Sequence, residues 1–183
     1  YILLVGRLSD PRKNVCMLLE AYALLPAGIR QKCKLILAGQ SEPPSDFWKR
    51  VSELDFAENV KFILKPSIDE LISLYQKASV FALPSDEEGF GMVIIESMAC
   101  GTPVVATKCG GPDGIISDGI DGFLVSPNRA QEMSDRLSQL LCDEELRCMM
   151  GIAARKKIEN NYDMQITGSA FVDMWDRLLN QID

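Results

Sequence analysis

The stretch Val80-Phe81-Ala82-Leu83-Pro84-Ser85-Asp86-Glu87-Glu88-Gly89-Phe90-Gly91-Met92-Val93-Ile94-Ile95-Glu96-Ser97-Met98-Ala99-Cys100-Gly101-Thr102-Pro103-Val104-Val105-Ala106 reads in order as strand, loop, helix and strand. Val80 to Leu83 is a short, wholly apolar run ended by Pro84, the pattern of a strand buried on both faces in a parallel sheet. A helix over Met92 to Ala99 is stopped by Gly101 and Pro103, and a second apolar run follows at Val104 to Ala106. Such a unit sets its two strands parallel, because the helix carries the chain back to the starting edge. Working outward, similar runs recur at Ile2 to Val5, Leu35 to Ala38, Val60 to Leu64 and Phe123 to Val125. Helical periods lie between them, with Val15, Leu18, Leu19, Tyr22 and Leu25 after the first run and Leu71, Leu74, Tyr75 and Ala78 after the third. The fold class expected is α/β, a Rossmann-like doubly wound parallel sheet.

Beyond Val125 the pattern turns to helix alone. Ala130, Met133, Leu137, Leu140 and Leu141 share one face, and a second helix runs from Glu144 to about Ile158. A terminal amphipathic helix is expected over 165–183, where Phe171, Met174, Trp175, Leu178, Leu179 and Ile182 form a stripe. Ser41-Glu42-Pro43-Pro44-Ser45 reads as a surface loop. With 183 residues, 47% of them hydrophobic, the chain suits one domain over 1–183 with a full core. It opens inside what reads as a core strand, Tyr1-Ile2-Leu3-Leu4-Val5-Gly6, so a piece of a longer protein is expected.

The net charge of −7 and the lack of any Lys/Arg run argue against nucleic acid as a partner. Six cysteines occur without a Cys-x-x-Cys pair and without any histidine, which disfavours zinc and points to a reduced, cytoplasmic setting. No apolar run approaches the roughly 18 residues of a membrane span, so membrane association is left to parts outside this sequence.

Ligands of doubly wound folds sit beyond the carboxyl ends of the strands. There, the loop from Pro84 to Gly91 enters the helix at Met92, and the N–H groups of Phe90, Gly91, Met92 and Val93 are expected to be unpaired at the positive end of the helix dipole. That end suits phosphate. Gly89 and Gly91 clear side chains from it, and Glu96, about one turn inside the helix, can accept hydrogen bonds from a diol, as can Glu88 at the loop. Taken singly, Glu88 is read as a charge favouring the dipole and Glu96 as a solvated residue. Within Glu88-Gly89-Phe90-Gly91-x4-Glu96 the functional reading prevails, since glycine at a helix start costs about 0.8 to 1.0 kcal/mol against alanine and needs a reason. The acidic run Asp86-Glu87-Glu88 has no histidine or spaced carboxylate to complete a metal site.

The loop after the first strand, Gly6-Arg7-Leu8-Ser9-Asp10-Pro11-Arg12-Lys13-Asn14, lacks the spacing of a dinucleotide fold but places Arg7 and Lys13 where they can meet a diphosphate. Taken alone it is a set of solvated cations. The glycine-rich loop Thr107 to Gly114 is equally readable as structural or ligand-lining. Cys100 and Cys109 have no evident base beside them and read as buried small hydrophobes.

Glu88-x7-Glu96 enclosing Gly89-Phe90-Gly91, Met98-Ala99-x-Gly101-x-Pro103-Val104-Val105, Gly6-Arg7-Leu8 with Lys13, and Gly110-Gly111-Pro112 together resemble the retaining GT-B glycosyltransferases of family 4, the glycosyl transferases group 1. The likeness runs from first strand to last helix. It implies the C-terminal, donor-binding half of a two-domain enzyme, whose N-terminal acceptor domain lies outside this chain and is crossed by the last helix. It further implies metal-independent transfer of a hexose-like sugar, with retention, from a nucleotide diphosphate sugar to an acceptor hydroxyl on a sugar, a lipid or another compound. No cofactor is implied, and the isolated half is expected to be inactive. By motif position, Glu88 would meet the donor sugar, Arg7 and Lys13 the diphosphate, and Gly6 and the backbone of Gly89, Phe90, Gly91, Met92 and Val93 the sugar and phosphates. Glu96 would meet the ribose diol, and Leu64, within Phe62 to Lys65, the base. Two departures stand out: an extra residue between Arg7 and Lys13 makes Arg12 a rival for the role of Lys13, and Gly114 replaces a glutamate common in relatives. The alternatives are a non-catalytic module that binds a nucleotide sugar or another phosphorylated ligand, and a purely structural interaction domain.

Overall fold

The computed structural model describes residues 1–162. Its centre is a six-stranded, wholly parallel sheet made of β1 (Ile2–Arg7), β2 (Leu35–Ser41), β3 (Val60–Leu64), β4 (Val80–Leu83), β5 (Val104–Thr107) and β6 (Gly122–Val125). The strands lie in the order β3-β2-β1-β4-β5-β6, a doubly wound order whose direction of winding reverses between β1 and β4. Every apolar run read from the sequence is a strand. Burial on both faces holds at the centre, where Ile2, Leu3 and Leu4 of β1, all of β4 and Val104 to Ala106 of β5 are fully buried. It fails for β3, an edge strand in which Lys61 and Leu64 are exposed.

The helices are α1 (Val15–Leu24), α2 (Ala27–Arg30), α3 (Ser45–Ser52), α4 (Ile68–Lys77), α5 (Met92–Ala99), α6 (Gly111–Ile115), α7 (Ala130–Cys142) and α8 (Glu144–Asn161). One layer is built by α1 packed on α3 and α7, and the other by α5 packed on α4, α6 and α8. The expected Ser41 to Ser45 loop is shorter than that stretch, since Ser41 ends β2 and Ser45 begins α3. Helix α3 escapes a periodicity reading because only Phe47 and Val51, four residues apart, are buried in it. The terminal stripe from Phe171 to Ile182 lies outside the described residues. Among the described residues no helix is long and apolar enough to cross a membrane.

Helix α8 fixes the back of α5. Lys157 donates to Ser117 Oγ at 2.8 Å and to the buried Asp121 carboxylate at 3.0 Å, tying α8 to the turn before β6. Where α8 crosses the end of α5, Gly151 lies against the backbone of Gly101, and a Cβ at Gly151 would fall 2.2 Å from the Gly101 carbonyl oxygen. Alanine normally stabilises a helix interior relative to glycine. Here Gly151→Ala is expected to cost about 1 to 3 kcal/mol, because backbone must move to admit the methyl group. By contrast, a Cβ at Gly114 in α6 meets nothing within 4 Å, so Gly114→Ala is expected to gain about 0.4 to 1 kcal/mol by restricting the unfolded chain. Thermal denaturation of the two variants beside the parent checks both signs.

Candidate functional site

The ladder between β1 and β4 joins only Ile2 to Val80 and Leu3 to Phe81. Beyond those pairs the two strands part, β1 continuing beside β2 and β4 beside β5, and their connections leave toward opposite faces of the sheet. The loops after β1 and after β4 therefore flank a crevice at the carboxyl edge, and both carry the residues singled out above.

In the first loop, Asp10 caps a single 3-10 turn over Pro11–Lys13 and binds Arg12 three times: its Oδ1 accepts from the Arg12 backbone N–H and Nε at 3.1 Å each, and its Oδ2 accepts from Nη2 at 2.7 Å. The hydrogen bond from the Arg12 side chain is the main cause that draws the Asp10 carboxyl down to about 2. Arg12 is thus engaged within its own loop. Arg7 is held loosely, 3.9 Å from Asp10 Oδ2 with its side chain 73% exposed. Asn14 sits in the left-handed region at φ 44°; its side chain caps α1 at Met17 N–H (3.3 Å) and donates to Asp86 Oδ1 at 2.9 Å and Asn128 Oδ1 at 3.0 Å. One asparagine therefore ties together the loops after β1, β4 and β6.

The second loop is fixed by its backbone. Asp86 N–H donates to the Arg12 carbonyl at 2.8 Å, Glu88 N–H to the Cys109 carbonyl at 3.2 Å, and Gly111 N–H to the Glu88 carbonyl at 2.7 Å. The Gly110-Gly111 turn thus has a definite structural task, and Asp113 supports it by accepting from Gly110 N–H at 2.8 Å. With its backbone held on both sides, Glu88 directs its carboxylate to Lys13, forming a largely buried ion pair with side chains 17% and 13% exposed. The stem of Lys13 runs over Gly6, its Cε 3.8 Å from where a Cβ on Gly6 would stand. Structure thus places Lys13 against Glu88 first, whereas the sequence reading aimed both outward at separate parts of a ligand.

At the helix start, Gly91 precedes α5 at φ +98°, a conformation that side-chain-bearing residues rarely adopt. Both glycines lie before the helix, so the helix-propensity cost argued from sequence does not apply to them; Gly91 is required by its φ. Gly89 is different: a Cβ there would meet nothing within 4 Å, so no packing demand explains it. Among the described residues, the N–H groups of Gly89, Phe90, Gly91, Met92 and Val93 have no acceptor. Phe90 and Met92 flank them and are 52% and 57% exposed. The unpaired helix start expected from sequence is present.

Glu96 is half-buried one turn into α5 and accepts a hydrogen bond from the Tyr75 phenol at 2.7 Å. Leu64 ends the edge strand, half exposed and opposite Gly39, two strands or about 10 Å from β1 at ordinary strand spacing. After it, Lys65 takes a positive φ of 49° and donates its N–H to the Gly39 carbonyl at 2.8 Å. Cys100 and Cys109, read from sequence as buried small hydrophobes, are only partly buried, and that burial, more than any other cause, pushes their thiols up. Open surface concavities lie elsewhere, one of about 530 Å³ between Tyr1, Ile63 and α4 and one of about 650 Å³ between Cys100 and α8. Sequence reasoning missed Tyr75, read there only as a core position, and the tie made by Asn14. The left-handed Asn before a helix start is a recognisable cue for the second; nothing local marks the first.

The chain has clear relatives. The sequence model for the family described as "Glycosyl transferases group 1" matches residues 1–157. A D-inositol 3-phosphate glycosyltransferase from Corynebacterium urealyticum is 34% identical over 176 residues, covering 92% of this chain and 40% of that protein. Among solved structures, an Anabaena protein, Alr3699/HepE, crystallised in complex with UDP, superposes with a TM-score of 0.83 at 25% identity, over 97% of this chain and 49% of its own. The sucrose-phosphate synthase of Thermosynechococcus elongatus superposes with a TM-score of 0.83 at 28% identity, over 98% and 46%. The chain therefore spans about two fifths to one half of the length of these relatives. Its motifs, its sheet order and this breadth of matching agree: the chain belongs to the glycosyl transferases group 1 family.

Proposed function

We propose that this chain is the donor-binding half of a retaining, metal-independent glycosyltransferase, which moves a hexose-like sugar from a nucleotide diphosphate sugar to an acceptor hydroxyl. The acceptor would be held by a further domain, which the greater length of the relatives accommodates. The observation that carries the reading is the free N–H row at the start of α5, set beside the Lys13–Glu88 pair at the point where the winding reverses. An oriented row of donors at a helix start suits a diphosphate. The UDP seen with the Anabaena relative supports a nucleotide as the carrier of that diphosphate.

In this reading the Lys13–Glu88 contact serves both of its members. An ammonium has three donors, and Glu88 uses one, so two remain for phosphate oxygens. Glu88 keeps its second oxygen, Oε1, for a sugar hydroxyl, and Lys13 compensates its charge in a partly dry setting. Arg7, exposed and loosely held, is the mobile cation that meets the diphosphate as the bond from the anomeric carbon to its oxygen breaks. The acceptor oxygen then bonds to that carbon on the face the diphosphate leaves, and the acceptor's proton passes to the departing oxygen. Negative charge grows on the diphosphate during this step, and Arg7, Lys13 and the α5 amides are placed to stabilise it. Glu96 would hold the ribose diol and Leu64 the side of the base. Without the acceptor-holding domain, such a chain binds donor and transfers nothing.

Calorimetric titration with UDP, GDP and ADP sugars is expected to give saturable binding with at least one of them, and silence across the panel would remove the proposal. In the full-length enzyme, Arg7→Ala is expected to lower turnover by roughly 10² to 10³, as when one donor to a developing oxyanion is deleted; a loss under threefold would deny Arg7 this role. Because Gly89 faces open space, Gly89→Ala should leave stability within about 0.5 kcal/mol. It should nonetheless weaken donor binding about tenfold, the equivalent of about 1.4 kcal/mol, and unchanged affinity by calorimetry would show that no ligand approaches that backbone.

A further inference from the structure

Glu96, unlike Glu88, is held by a neutral side chain. Its Oε2 accepts from the Tyr75 hydroxyl at 2.7 Å, and among the described residues no donor reaches its Oε1. Tyr75 belongs to α4, is 2% exposed, and packs its ring against Phe81 of β4 with centroids 5.7 Å apart. The residue is anchored at its backbone as well. Its carbonyl accepts from the Thr102 hydroxyl at 2.6 Å, and Thr102 exchanges two bonds with Ser97, the neighbour of Glu96: Thr102 N–H to the Ser97 carbonyl at 3.1 Å and Ser97 hydroxyl to the Thr102 carbonyl at 3.2 Å. Tyr75, Thr102, Ser97 and Glu96 thus close a ring of contacts through α4, α5 and the Gly101-Thr102-Pro103 turn.

Two physical facts give that ring a purpose. A glutamate side chain has three rotatable bonds, and freezing it at the moment of binding costs affinity. A carboxylate already held at one oxygen by a rigid donor presents the other in a fixed direction. The donor is permanent, since burial first and the neighbouring Glu96 charge second raise the Tyr75 phenol far above its ordinary pKa. It therefore stays protonated at neutral pH.

We propose that Tyr75 is a positioning residue that locks Glu96 with Oε1 directed at the ribose of the bound nucleotide, so that discrimination between ribose and deoxyribose depends on a residue that never touches the ligand. The inference rests on the donor-site reading above, in which Glu96 holds the ribose diol. Tyr75→Phe removes one oxygen and keeps the ring against Phe81, so folding is preserved and can be verified by thermal denaturation.

The test is calorimetry on the full-length protein with UDP and with 2′,3′-dideoxy-UDP, or the GDP or ADP pair if one of those is the tighter ligand, for the parent, Tyr75→Phe, Glu96→Gln and the double variant. Tyr75→Phe is expected to weaken ribonucleotide binding about fivefold or more, the scale of one hydrogen bond, and to leave the dideoxy ligand within about twofold. The ratio between the two ligands in the double variant should match that of Glu96→Gln alone, because Tyr75 acts only through Glu96. In turnover, KM for the donor should rise with kcat within about threefold, since the ribose is held equally in ground and transition states. If Glu96→Gln collapses the ratio while Tyr75→Phe preserves it, or if Tyr75→Phe weakens both ligands alike, the positioning role is overturned. If Glu96→Gln leaves the ratio unchanged, the assignment of Glu96 to the ribose fails, and this inference falls with it.

Discussion

Everything at the carboxyl edge follows from one topological constraint, the parting of β1 and β4. Two parallel neighbours whose connections turn to opposite faces cannot both be roofed by the same helix, and here they share a ladder of only two residue pairs. The gap between them is left for loops to line. Both lining loops stand on a core, from Leu3 and Leu4 to Ala82 and Leu83, that is fully buried and apolar. The same geometry brings residues 75 positions apart, Lys13 and Glu88, into contact.

Electrostatically, the arrangement is unusual for a chain with a net charge of −7. A patch of basic side chains would attract anions of every kind. Instead, Lys13 is matched by Glu88, and Arg12 by Asp10, which leaves Arg7 as the loosely held cation of these two loops. Beside them stand the unpaired backbone amides at the start of α5, at the positive end of its dipole. Amides held in place by a folded loop are directional donors, so they favour a tetrahedral oxyanion set at one position over diffuse negative charge. Selectivity of this kind requires that Glu88 and Gly91 be held in place, and the strand-like bonds of Glu88 to Cys109 and Gly111 do so.

The legible part of this structure was what repeats locally. Six short apolar runs became six strands, and Met92 to Ala99 became a helix with those same limits, because strand burial and helix punctuation both leave their marks within a few residues. Edge exposure of β3 was not legible, since the order of strands depends on chain reversal and not on local pattern. Helix α3 was hidden because it buries only Phe47 and Val51, too few apolar positions for a period to show. At the site, residue types pointed correctly to an anion-receptive helix start, yet the partners of each side chain remained out of reach. Lys13 could be read as a cation, but its pairing with Glu88 is a property of the assembled edge. Tyr75 shows the limit most clearly: its spacing with Leu71, Leu74 and Ala78 says only that it is buried, and the bond to Glu96 across 21 positions appears once two helices pack.

Asn14 has a mechanical consequence. Because its side-chain amide spans Asp86 and Asn128 while its carbonyl oxygen caps α1, the loops after β1, β4 and β6 are joined like spokes at a hub. A displacement of any one of them must either break a hydrogen bond at that hub or carry the others along. The rim of the crevice is therefore expected to respond as a unit, with its shape set during folding and not at each encounter with a ligand. Stiffness of this sort lowers the entropy to be given up on binding. It also means that substitutions near Asn128, in the loop after β6, act on the same rim as those in the loops that line it.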